Sequence, residues 1–132
     1  MRQTRLSFYF FTRILYNIRI NIDAGAQLIK KVKITVMKTA LYDDLIKKYE
    51  NPIEHACDMR EGQEFIANGW EKPNGFCQSA WDSVSAFVMT LACGGEDIYD
   101  GWMKDKKSAM ISCNDGFRPV SFLLEAMEDS AE

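Results

Sequence analysis

The chain is expected to fold as a small α+β domain, a mainly antiparallel sheet of about four strands covered by one long central helix, with a second short helix beside it. Three observations predict this. Lys31 to Lys38 (KVKITVMK) alternates polar and apolar residues and is rich in β-branched side chains, the pattern of a strand with one buried face. Cys77, Trp81, Val84, Val88 and Leu91 recur with the spacing of one helical face. Asn114-Asp115-Gly116 separates two apolar runs and has the residue types that accept positive φ in a hairpin turn.

Taken in order, the first strand should bury Val32, Ile34 and Val36. Leu41 to Tyr49 (LYDDLIKKY) then places Leu41, Leu45 and Tyr49 on one face, with Asp43 and Asp44 early and Lys47 and Lys48 late. That charge order suits the helix dipole, and Asn51-Pro52 ends the helix. Gly62 to Ala67 (GQEFIA) reads as a short strand running into the turn signal Asn68-Gly69. After the loop Lys72-Pro73-Asn74-Gly75 comes the central helix, stopped by Gly94-Gly95. Glu96 to Gly101 is a surface loop and Lys104 to Lys107 a solvated charge block. Ser108–Cys113 and Val120–Met127 complete the sheet as a hairpin.

With 132 residues, 47% of them hydrophobic, the chain can bury one modest core, so a single domain is expected. The net charge of −3 conceals an asymmetry. Residues 1–31 hold six Lys or Arg against Asp23, whereas the rest holds ten basic and eighteen acidic residues. An acidic body argues against nucleic acid as a partner, because that affinity rests on clustered cations displacing counterions. No apolar run has the length of a transmembrane segment. A protein partner or a homo-oligomer remains an open expectation.

The first thirty residues are read separately. Leu6 to Ile22 (LSFYFFTRILYNIRINI) is apolar but interrupted by Arg13 and Arg19, which breaks a signal-peptide core before it is complete. A basic amphipathic helix on a membrane surface is one alternative, and the strand-like alternation of Ile18 to Ile22 speaks against it. The abrupt change in composition and charge favours an extension, residues 1–30, outside the domain, of the kind an upstream start codon would add. The domain is then 31–128, and 129–132 a tail.

The four cysteines, Cys57, Cys77, Cys93 and Cys113, are spaced 20, 16 and 20 residues apart. This is neither the paired spacing of a zinc ribbon nor a dense disulfide framework, so free thiols in a cytoplasmic protein are expected. Cys77 falls where the central helix begins, and unsatisfied N–H groups there favour a thiolate. Packing as a small apolar residue is the competing expectation. Cys93, at the other end of that helix, reads as structural. Cys113 stands at the hairpin, Asp115 with Gly116 makes its turn, and Arg118 is not demanded by turn geometry. Arg118 either binds an anionic ligand or pairs with Asp115 or Asp82. Trp81, with Phe76, Trp70 and Trp102, could line a pocket beside these cysteines, although aromatics more often fill cores. Cys57, Cys77 and Cys113, with the single histidine His55, are the set with the softness for zinc or iron.

From Lys31 to about Glu128 the chain resembles a family of small bacterial and archaeal proteins, some of them called repeat proteins. The carrying residues are Lys31-Val32-Lys33-Ile34-Thr35-Val36, Gly62-Gln63-Glu64-Phe65, Pro73 with Gly75-Phe76-Cys77 and Ala80-Trp81, Gly94-Gly95, and Cys113 with Asp115-Gly116 and Arg118-Pro119-Val120. The resemblance implies a domain that starts near Lys31 and supplies no activity. In that family a proline usually adjoins the cysteine at the position of Cys57, where this chain has Asp58. His55 matches none of its positions.

Three functions are expected from these residues. The first is a non-catalytic module that binds a metal ion, small ligand or partner protein at Cys77, Trp81, Cys113, Asp115 and Arg118. The second is a thiol-dependent enzyme using Cys77 or Cys113, with Arg118 orienting an anionic substrate. The third is a structural interaction domain whose cysteines fill the core.

Overall fold

Alternation in the strands and helical periodicity between them produce a four-stranded antiparallel sheet with two helices, in a computed structural model that describes residues 29–132. The extension, membrane-helix and signal-peptide expectations for residues 1–28 lie outside the described residues. The elements are β1 (Lys30–Thr39), α1 (Asp43–Tyr49), β2 (Glu64–Ala67), α2 (Gln78–Ala92), β3 (Ser108–Ser112) and β4 (Val120–Ser130). The sheet order is β2-β1-β4-β3, so the two longest strands form its centre and pair along most of their length.

Val32, Ile34 and Val36 are buried as the alternation predicts, and the register aligns Ile34 with Leu124 and Val36 with Phe122. Helix α2 lies on this face and buries Ala80, Val84, Val88, Leu91 and Ala92 against it. Each fully buried Val, Leu or Phe here contributes about 1.5–3 kcal/mol relative to exposure. On the other face Lys33 stands directly opposite Glu125 in register and forms an ion pair at 3.2 Å. A cross-strand pair of this kind adds a few tenths of a kcal/mol to about 1 kcal/mol.

Helix α2 has clear punctuation. Gly75 (φ +76°) turns the chain into its first residue, with Cys77 as N-cap. At the other end Cys93 is the C-cap and Gly94 adopts φ +85°. The Gly94 N–H donates to Leu91 O at 3.1 Å and the Gly95 N–H to Thr90 O at 2.8 Å. This is the paired bonding that satisfies the last carbonyls of a helix. A side chain at Gly95 would meet Thr90 O at 2.8 Å and Cγ2 at 2.6 Å, so the glycine pair is demanded by this termination.

Two expectations are corrected. Helix α1 starts at Asp43 and buries no residue; Leu41, Leu45 and Tyr49 are all exposed. Seven residues offer too small an apolar stripe to hold the helix on the core. It is held instead at its ends, by the Tyr42 N–H bonded to Phe117 O and by Glu50. Strand β4 runs three residues beyond Met127, and Asn68 pairs with the backbone of Glu132 through both ends of its amide, so the last residues are tied to the β2 turn.

Candidate functional site

Two chain reversals, one before α2 and one between β3 and β4, meet at the same end of the sheet. The tie between them is specific: the Ser79 hydroxyl donates to Asn114 Oδ1 at 2.7 Å. In the β3–β4 loop Asp115 Oδ1 accepts the N–H groups of Phe117 at 2.8 Å and Arg118 at 3.0 Å. This is the local side-chain turn for which Asp is suited. Asp115 therefore shapes the loop, as its sequence context predicts.

Arg118 does not pair with Asp115 or Asp82, which corrects that expectation. Its guanidinium forms a bidentate pair with Glu50, Nη1 to Oε1 at 2.8 Å and Nη2 to Oε2 at 2.6 Å, with both side chains largely shielded. Asp82 instead accepts a hydrogen bond from Gln78 one turn earlier. The Arg118 hydrogen bond holds the Glu50 carboxyl below its ordinary pKa, against an opposing push from burial, and Glu50 in turn raises the Arg118 pKa. A charge-assisted fork of this kind fixes orientation as well as proximity.

Between the two reversals opens a cavity of about 360 Å³. Its apolar wall is Phe65, Ala80, Val120 and Phe122; its polar rim carries Asp115 and Arg118. Cys77 and Cys113 both line it. So does Cys57, brought over by the irregular segment between α1 and β2 together with His55 and Asp58. Three thiols far apart in sequence thus border one space.

The thiols differ in setting. Cys77 is an exposed N-cap whose side chain makes no capping bond, so it does not pack in the core as the competing expectation had it. Cys113 is half-buried, and its Sγ accepts the Val120 N–H at 3.2 Å. Cys57 is exposed and its Sγ accepts the Met59 N–H at 3.4 Å. Cys93 is exposed at the far end of α2 and does not line the cavity. Among the described residues no three or more His, Cys, Asp or Glu side chains are placed to hold a metal ion.

Trp81 does not line the cavity; it packs half-buried with its ring edge-on to Phe76, centroids 6.2 Å apart. Phe76 is itself core, against Phe65 and Phe122. Trp70 and Trp102 are exposed, and Trp102 stacks edge-on with Tyr99 at 5.3 Å. Sequence reasoning missed Glu50, which sits just past a helix end with no local cue to its distant partner. His55 lies on the cavity rim 3.0 Å from Asp58. No helix among the described residues is long and apolar enough to cross a membrane.

No family model, curated protein or solved structure matches the chain.

Proposed function

We propose that this protein is a small cytoplasmic binding module whose ligand site is the cavity between the start of α2 and the β3–β4 loop. The single observation that carries the reading is the convergence of Cys57, Cys77 and Cys113 on one space with an apolar wall. Its volume of about 360 Å³ falls within the range of roughly 300–1,000 Å³ common for small-molecule sites. The ligand that suits it is a small, largely apolar molecule with a soft or weakly polar atom facing the thiols. An anion is disfavoured, because both terminal nitrogens of Arg118 are already engaged by Glu50. The family resemblance carries no activity and adds nothing to this choice.

The test is a titration of the reduced full chain with indole, followed through backbone amide shifts. Saturable shifts confined to Gly75–Ala80, Cys113–Arg118 and residues 55–59 support the reading. Shifts that never saturate, or that spread over the exposed sheet face, overturn it.

A second reading, a thiol-dependent enzyme, is favoured by one observation: Cys77 is exposed at the start of a fifteen-residue helix and lines the cavity, so a substrate there can reach its sulfur. Arg118 could orient an anionic substrate only after releasing Glu50. A zinc or iron site is tested by elemental analysis of anaerobically purified protein, where a stoichiometric metal lost on Cys77→Ser or Cys113→Ser would displace the small-ligand reading.

A further inference from the structure

The segment joining α1 to β2 is pinned at both ends and unsupported between. At one end Glu50 grips Arg118 of the β3–β4 loop; at the other Met59 packs against the core. Among the described residues, none from Asn51 to Asp58 makes a hydrogen bond between backbone groups. Segments with few such bonds open at low free energy. Cys57 lies within this strap.

Cys113 lies in the loop that the strap approaches. Its sulfur is held by the Val120 amide, and Val120 and Arg118 border two hollows together with Cys57, the main cavity and a smaller one beside Thr39, Ala40 and Leu41. The Glu50–Arg118 pair places the start of the strap beside the same loop. Cys77 is fixed as the N-cap of α2, and Cys93 is at that helix's opposite end. Of the four thiols, Cys57 is the one in a segment without backbone–backbone hydrogen bonds, and Cys113 lines the same cavity from the loop whose Arg118 and Val120 border both hollows with Cys57.

We propose that Cys57 and Cys113 are a dithiol site for a small hydroperoxide, and that their oxidation to a disulfide closes the strap over the cavity. The exposed Cys57 sulfur attacks the peroxide O–O bond, giving a sulfenic acid and releasing water or an alcohol. The Cys113 sulfur then attacks the Cys57 sulfur, the S–S bond forms, and the sulfenic oxygen leaves as water with the second thiol proton. Two thiols lose two electrons and the peroxide gains them. A disulfide needs Cα atoms about 4.4–6.8 Å apart, so the proposal requires the strap to bring Cys57 to that distance from Cys113 across the cavity that both border. The consequence for ligand access rests on the cavity being the ligand site; formation of the bond does not.

The experiment uses the full chain, reduced, freed of reductant and treated with equimolar hydrogen peroxide in the presence of a chelator. The expected result is loss of two hydrogen masses and an unreduced digest linking the peptides of Cys57 and Cys113. Cys57→Ser, a change at an exposed position, abolishes the link and leaves an overoxidised or unreacted protein; Cys77→Ser and Cys93→Ser retain it. A link that survives in Cys57→Ser, or involves Cys77 or Cys93 in the wild type, overturns the proposal, as does conversion of the thiols only to higher acids. Indole titration of reduced and oxidised samples separates the two ideas. Binding lost on oxidation supports both, whereas a disulfide that forms in a protein never binding indole sinks the ligand reading alone.

Discussion

Arg118 and Glu50, 68 positions apart, form a two-bond fork at 2.8 and 2.6 Å that joins the end of α1 to the β3–β4 loop. Because α1 buries nothing, this pair and the Tyr42–Phe117 bond are what keep the short helix beside the loop. The pair also gives the protein an acid-sensitive joint. Glu50 has its pKa lowered first by the Arg118 hydrogen bond. A carboxyl depressed on folding contributes stability that is present above its unfolded pKa and lost as pH falls through the folded one. Urea midpoints measured from neutral pH downward should therefore fall below the ordinary carboxylate range more steeply in the wild type than in Glu50→Gln. Equal slopes would show that the pair contributes no linkage.

Arg118→Lys tests geometry rather than charge. Lysine keeps the positive charge and loses the planar fork that fits a carboxylate with two bonds. The expected result is increased amide hydrogen exchange in α1, with α2 unchanged. Uniform exchange across the chain would show that the fork does not anchor this region.

How legible the molecule was depends on the sequence distance of each cause. Strand β1 and helix α2 follow from alternation and periodicity within their own residues, and the end of α2 from Gly94-Gly95. The packing of α1 is not legible, because the spacing of Leu41, Leu45 and Tyr49 says nothing about whether seven residues bury enough surface. Nothing in the sequence distinguishes Glu50 from Asp115 or Asp82 as the partner of Arg118, because the pairing joins residues 68 positions apart. Cys57, Cys77 and Cys113 stand out by residue chemistry alone; their meeting in one cavity depends on the Ser79–Asn114 tie and the route of the strap, which no local pattern encodes.

Phe122 is fully buried, touches the ring of Phe76 at a centroid distance of 5.3 Å and forms part of the cavity wall. Phe122→Ala should destabilise the protein by about 3–5 kcal/mol, since it removes buried area and leaves a void. Chemical denaturation checks this. A loss below about 1 kcal/mol would mean that the core collapses around the gap, contrary to close packing against Phe76.

Gly75 separates a conformational effect from a steric one. At φ +76°, an added Cβ would meet nothing within 4 Å. Any loss in Gly75→Ala must come from forcing an L-residue into left-handed backbone, about 1–2 kcal/mol. Gly75→Asn should lose less, because asparagine tolerates that region. Equal losses would point to a contact absent from this geometry.

The alkylation order of the cysteines follows from their settings. Cys57, Cys77 and Cys93 are exposed, while Cys113 is half-buried with its sulfur bonded to the Val120 amide. Limited iodoacetamide, quenched in time and mapped by mass, should label the first three in the native reduced protein and Cys113 only as the fold opens. Access governs the difference, since the thiolate must reach the reagent. If Cys113 labels at the native rate of Cys93, then the β3–β4 loop does not shield it, and the Cys113–Val120 bond cannot be holding that sulfur in place. Slow labelling of Cys113 that becomes fast in Arg118→Lys would show that the Glu50 fork keeps this loop closed.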